Sequence, residues 1–179
     1  MNKAVMQKEN LSNNMLLLFN KQLDLWKNKN WNNKSQLLLF INTPKIYRDL
    51  GINNNYITIS SSKLDRIINK FGKQKGNYHG LGLNKIKKII KEINNPKMIL
   101  KSSTVKNSIV IVTNLKDNKN RPIIISMAIN GTARIEVIDS LNNIITKNVA
   151  SNVITSIYGR NNYKKWLKYN TNNCLYKKS

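Results

Sequence analysis

Acidic residues are scarce in this sequence: 8 Asp plus Glu stand against 31 Lys plus Arg in 179 residues, with one His, for a formal charge of +23 at pH 7. The carboxylates (Glu9, Asp24, Asp49, Asp65, Glu92, Asp117, Glu136, Asp139) include no DxD or ExxE pair. Two-metal nucleases and glycosidase dyads need convergent carboxylates, so nothing local supports either. Cysteine is nearly missing too. Cys174 alone cannot form an internal disulfide, and no Cys/His cluster offers a structural zinc. Long apolar runs are also lacking: stretches such as Met15 to Phe19 fall far short of the roughly 20 residues that span a bilayer. The segment Met1 to Asn14 is polar and the apolar stretch after it is brief, so no secretory signal is expected.

What is present is positive charge along the whole chain, with a pI near 10.2. A field of this sign steers phosphate-rich ligands and retains them by counterion release, which makes nucleic acid the first candidate partner. The abundance of Lys, Asn and Ile, with only five Arg, also fits an AT-rich coding bias. That bias should raise Glu alongside Lys, however, and acids are few.

The length suits one domain with a short appendage. Leu11, Met15, Leu18, Gln22 and Leu25 can share one helical stripe, widened by Leu16, Phe19, Leu23 and Trp26, and they predict a helix over about Glu9 to Lys27. Asn28 to Lys34 reads as a linker, so residues 1–33 are set apart from a main domain over 34–179. The helix is a core, partner-binding or severed-end element, and core packing is preferred because Trp26 and the leucines would otherwise form an exposed patch. Leu37 to Ile41 predicts a buried strand, Thr43 with Pro44 caps a helix to Leu50, and Gly51 stops it. Tyr56 to Ser60 predicts a strand, and Lys63 to Phe71 a helix that Ser60–Ser62 cap and Gly72 ends. A basic helix, Asn84 to Ile93, stops at Asn95–Pro96. Strands then follow over Lys97–Ser102, Ser108–Asn114, Pro122–Asn130, Ala133–Ser140 and Ile154–Tyr158. Asp117–Arg121 and Asn130–Gly131 supply hairpin turns, and a short helix around Asn162–Tyr169 carries Trp166. Helices first and an antiparallel meander after them predict an α+β fold, with N-terminal helices packed on a central antiparallel sheet.

Two groups of residues can carry chemistry. His79 lies in the glycine-rich segment GNYHGLG, Gly76 to Gly82, and titrates near 6.5 when unperturbed, so it can exchange protons at neutral pH. The bland alternative is a surface or capping histidine. On a strand, Ser156, Tyr158 and Arg160 alternate onto one face with Thr155 and Ile157 on the other. A hydroxyl, a phenol and a guanidinium together suit a phosphate, although a polar edge strand would look the same. Cleavage of RNA by its own 2′-hydroxyl needs a base, an acid and cations, and no metal or cofactor. His79 can serve as base or acid, with Tyr158, Lys or Arg in the other positions. Lys85, Lys87 and Lys88, and Lys101 and Lys106, are candidate phosphate contacts.

The order TPKIYRDLG, HGLG, NNPKMILKSS, three hydrophobic strands, ITSIYG and a late Trp166 resembles the C-terminal toxin domains of phage MuF-type head proteins. These are members of the barnase, EndoU, colicin and RelE (BECR) superfamily of RNases. The resemblance covers about residues 36 to 178. It implies a metal-independent endoribonuclease toxin, with the family histidine on His79 and the Ser/Tyr motif on Ser156 and Tyr158; Arg160 carries over less directly. A toxin of this charge, acting on cytoplasmic RNA, is expected to have an acidic immunity or antitoxin protein that covers the cationic cleft. A non-catalytic nucleic-acid-binding or phage structural module is the main alternative. ADP-ribosyl transfer ranks last, because its usual Glu and Arg positions have no counterpart here.

Overall fold

The structure, a computed structural model, describes residues 3–32, 34–69, 79–138 and 144–178. The elements run α1 (Lys3–Lys27), β1 (Gln36–Phe40), α2 (Lys45–Arg48), β2 (Tyr56–Ser60), α3 (Ser61–Ile68), α4 (Leu83–Lys87) and α5 (Ile89–Asn94). They continue with β3 (Met98–Lys101), β4 (Ser108–Lys116), β5 (Pro122–Ile138), β6 (Ile144–Gly159), α6 (Tyr163–Asn170) and β7 (Cys174–Lys177). One seven-stranded sheet has the order β1-β2-β6-β5-β4-β3-β7. The fold is α+β. The sheet is mixed, because β6 returns antiparallel to β5 and thereby lies parallel to β2, while the other neighbouring pairs are antiparallel. No described helix is long and apolar enough to cross a membrane.

Strand alternation divides the apolar residues between the two faces. Ile99, Ile109, Ile111, Ile123 and Ile125 join the large core under the N-terminal helices, where they meet Phe19, Leu23, Leu64, Ile86 and Ile90. Met98, Leu100, Val112 and Ile124 point the other way and are covered by Tyr158 and by Tyr163, Trp166 and Leu167 around α6. The core face of α1 is Met15, Phe19 and Leu23, whereas Leu18 and Leu25 are exposed. Gln22, also buried, has a different use: its side-chain amide donates to the Leu38 carbonyl at 2.9 Å and its Oε1 accepts from the Leu38 N–H at 2.8 Å. A side chain thus occupies the free edge of β1, where another strand would otherwise pair.

Several sequence expectations change. Asn130–Gly131 is no hairpin turn: β5 runs through it as one strand, with Ala128 opposite Val153 and Gly131 opposite Ser151. The two residues between face only Asn152, which makes a bulge, and Asn130 takes the φ of +60° that a turn would also require. The predicted helix over Asn84–Ile93 is divided at Lys88 into α4 and α5. Thr43 does not cap α2; its hydroxyl donates to the Asn55 carbonyl at 2.8 Å. The predicted stop at Gly72 lies outside the described residues, and α3 ends at Ile68. The edge strand β7, which pairs with β3, was not expected.

Candidate active site

The site begins where two strands part. β2 stays beside β6 as far as the Ile59–Ile154 pair; the chain then turns at Ser60, whose hydroxyl accepts from the Lys63 N–H, and enters α3. From Thr155 to Gly159, β6 is paired only with β5 among the described residues. Thr155 is itself a bulge, since Ser126 faces Ser156 and Met127 faces Ile154. The bulge shifts the alternation by one residue, so that Ile154 and Ile157 both reach the large core. Simple alternation therefore fails here. Thr155 and Ser156 line one cavity, of about 230 Å³, together with His79, Lys63 and Arg66. Thr155 also lines a second, of about 300 Å³, with Tyr158, Arg160, Trp166 and Lys101.

His79 is placed by the end of α3. The N–H groups of His79, Leu81 and Gly82 donate to the carbonyls of Arg66, Ile67 and Ile68 at 2.8, 2.9 and 3.2 Å. The last carbonyls of a helix have no partners within it, so this segment caps α3 by lying along it. Gly80, at φ +58°, lets the chain take that path directly after His79. The imidazole then meets the Tyr158 ring with centroids 5.3 Å apart and planes tilted by 30°. Next in line, Arg160 Nη1 is 3.4 Å from the Tyr158 hydroxyl, and its guanidinium lies over Trp166 at 5.2 Å from the ring centre. Arg160 Nε is buried and has no hydrogen-bond partner among the described residues.

Behind these groups stands an ion pair that sequence reasoning missed. Arg121 Nε donates to Asp117 Oδ2 at 2.6 Å, and Arg121 Nη1 donates to Asn161 Oδ1 at 2.7 Å. The other Asp117 oxygen accepts from the N–H groups of Lys119 and Arg121, each at 2.9 Å. Burial alone would raise the Asp117 pKa; the Arg121 side chain and the backbone donors outweigh it and hold the group below its usual value. The pair occupies the space beside Gly159. A Cβ there would stand 2.1 Å from Asp117 Oδ2 and 2.6 Å from its Cγ, so only glycine lets β6 pass. Burial first, and then the positive charge of Arg121, lower the pKa of His79 from 6.5. Near neutral pH its imidazole is therefore mainly uncharged.

Of the candidate phosphate contacts, Lys101 lines the Tyr158–Arg160 cavity and Lys85 and Lys87 line neither cavity. Lys85 is committed elsewhere, donating to the Lys116 carbonyl at 2.5 Å and to Asn118 Oδ1 at 3.1 Å. Lys63 and Arg66 take the place beside His79 instead, on one face of α3 at i and i+3. Nothing in the sequence set these two apart from the other basic residues. Among the described residues no three His, Cys, Asp or Glu side chains gather to hold a metal ion. The arrangement offers a neutral imidazole, a phenol, two hydroxyls and the cations Lys63, Arg66, Lys101 and Arg160 around one stretch of strand. A family model described as the phage MuF C-terminal domain matches residues 70–179. No curated protein and no solved structure matches the chain.

Proposed function

Because the chain belongs to the phage MuF C-terminal domain family, we propose that it is a toxin domain of the BECR type, a metal-independent endoribonuclease acting on cytoplasmic RNA. The observation that carries this reading is the line His79–Tyr158–Arg160: a proton acceptor 5.3 Å, ring to ring, from a proton donor, with a guanidinium 3.4 Å beyond it. Neutral His79 takes the proton of a ribose 2′-hydroxyl, and the 2′-oxygen forms a bond to the adjacent phosphorus. The bond from phosphorus to the 5′-oxygen breaks, and Tyr158 gives its phenolic proton to that oxygen. The products are a 2′,3′-cyclic phosphate and a 5′-hydroxyl; solvent then takes the proton from His79 and returns one to Tyr158, which restores both groups. Arg160 neutralises charge on the phosphorane, and Ser156 donates a hydrogen bond to a phosphoryl oxygen. General base catalysis of this kind contributes roughly 10²–10⁴-fold, and one well-aimed donor to the phosphorane about 10²–10³-fold.

The +23 charge supports an acidic immunity protein as the neutralising partner, since complementary charge gives fast capture and excludes RNA in the same step. The same charge and family membership also support a non-catalytic nucleic-acid-binding or phage structural module. Incubation with total cellular RNA in EDTA separates the two. Fragments from the parent protein, and none from a His79→Ala protein that melts at the same temperature, are expected of the enzyme. Intact RNA at enzyme excess, or identical behaviour of the two proteins, is expected of the module.

A further inference from the structure

Beside the candidate site, the β4–β5 hairpin and the first turn of α6 border an open, shallow depression of about 690 Å³. Its lining includes Lys116, Arg121, Arg160, Lys164 and Lys165, and no carboxylate. The nearest acid, Asp117, is already paired with Arg121 and with two backbone N–H groups. Among the described residues no carboxylate pairs with Lys116, Arg160, Lys164 or Lys165. Asn162 makes no side-chain cap on α6, so the amides at the start of that helix add positive potential to the same basin. Arg121 is offset by Asp117, so four cations without a carboxylate partner, Lys116, Arg160, Lys164 and Lys165, give the basin a net positive potential that favours a polyanion. Arg160 lines both this basin and the Tyr158–Trp166 cavity, so the two adjoin at its side chain.

We propose that the basin is a second anchor for a single nucleic-acid strand, holding the phosphates next to the one cleaved, so that the substrate is an extended chain and not a dinucleotide. The proposal rests on the ribonuclease reading for which phosphate is cleaved, but strand binding can be measured without cleavage. The test uses all-2′-deoxy oligonucleotides, which lack the attacking hydroxyl, at lengths of two and about eight nucleotides, with affinity followed against salt. On a single strand each phosphate contact contributes a slope of about −0.7 in log affinity against log salt. The Lys164→Gln/Lys165→Gln protein should bind the longer strand with a slope shallower by about 1.4, and bind the dinucleotide as the parent does. A control of equal charge change on exposed, distant sites, Lys21→Gln/Lys147→Gln, should leave the slope as it was. Equal effects of the two double substitutions, or an equal loss on the dinucleotide, would overturn the proposal. Parallel assays on RNA distinguish the failures. Strand binding through the basin with no RNA cleavage would sink the ribonuclease reading and leave the anchor standing. Cleavage whose kcat/KM is the same for short and long RNA, with or without Lys164 and Lys165, would sink the anchor alone.

Discussion

Replacing Gly159 by Ala adds one methyl group at the point where the structure has least room. That carbon would stand 2.1 Å from Asp117 Oδ2 and 3.1 Å from Arg121 Nε. The backbone at Gly159 does not have positive φ, so alanine is sterically acceptable to the strand itself, and the conflict lies with the ion pair. Asp117 is buried and its carboxylate accepts three hydrogen bonds, from Lys119 N, Arg121 N and Arg121 Nε. Displacing it strands a buried charge, which costs about 3–5 kcal/mol for a fully buried pair. Arg121 is partly exposed, and replacing glycine lowers unfolded-chain entropy by about 0.4–1 kcal/mol. A net loss of about 2–4 kcal/mol is therefore expected, equivalent to a fall in melting temperature of about 10 °C for a chain of this size. Urea denaturation of Gly159→Ala, Asp117→Ala and the double variant measures it. With the carboxylate gone the new methyl group meets only the movable end of Arg121, so Gly159→Ala should be nearly neutral in the Asp117→Ala background. A single-variant change within about 0.5 kcal/mol of zero, or the same cost in both backgrounds, would refute the reasoning.

Four other outcomes follow from the structure. Under the proposed mechanism, in which His79 acts in its neutral form, the pH profile of kcat/KM should rise through a midpoint below 6.5, because its pKa is depressed; Arg121→Gln should move that midpoint up toward 6.5. In stability the depressed pKa has a matching sign: the contribution of neutral His79 is complete above its unfolded value near 6.5 and is lost as pH falls through the folded value, so His79→Ala should flatten that part of a denaturation series. Tyr158→Phe loses only a 3.4 Å contact to Arg160 and keeps the ring against His79, so activity should fall by roughly 10²–10⁴-fold while stability changes by less than about 1 kcal/mol. Asn152→Ala should cost about 2–3 kcal/mol in urea denaturation, because buried Asn152 donates to Thr43 Oγ1 at 2.8 Å and accepts from the bulged Asn130 N–H at 3.0 Å.

Most strands were legible because their apolar residues alternate or run together, as in Ile123–Ile125, and the chain order of helices and strands was enough for the fold class. His79 stood out by its glycines, and the structure gives the physical reason: the backbone following it caps α3. The misreadings come from local signals that long-range pairing reinterprets. Asn130 takes the positive φ of a turn, yet β6 continues opposite it, so the same dihedral serves a bulge. The Thr155 bulge likewise breaks the alternation that set Thr155 with Ile157, while Ser156 and Tyr158 keep their regular register after it, and nothing in TSIYGR marks the bulge. Lys63, Arg66, Arg121, Lys164 and Lys165 could not be distinguished from the other bases in a chain of charge +23, since a cation matters only where the fold gathers several. Gln22 lay in the predicted apolar stripe of α1, but its hydrogen bonds to Leu38 depend on a strand whose free edge is a property of the whole sheet.

The central claim, that His79 and its neighbours cleave RNA through the 2′-hydroxyl, is tested most directly by the chemistry of the new ends. A defined RNA oligonucleotide is exposed to the protein in EDTA and the fragments are analysed by mass spectrometry, beside a copy with a 2′-methoxy group at each cleaved position. Fragments ending in a 2′,3′-cyclic phosphate paired with 5′-hydroxyl ends, and an uncut 2′-methoxy copy, are the predicted result. Fragments with 3′-hydroxyl and 5′-phosphate ends, or an RNA left whole, would contradict it.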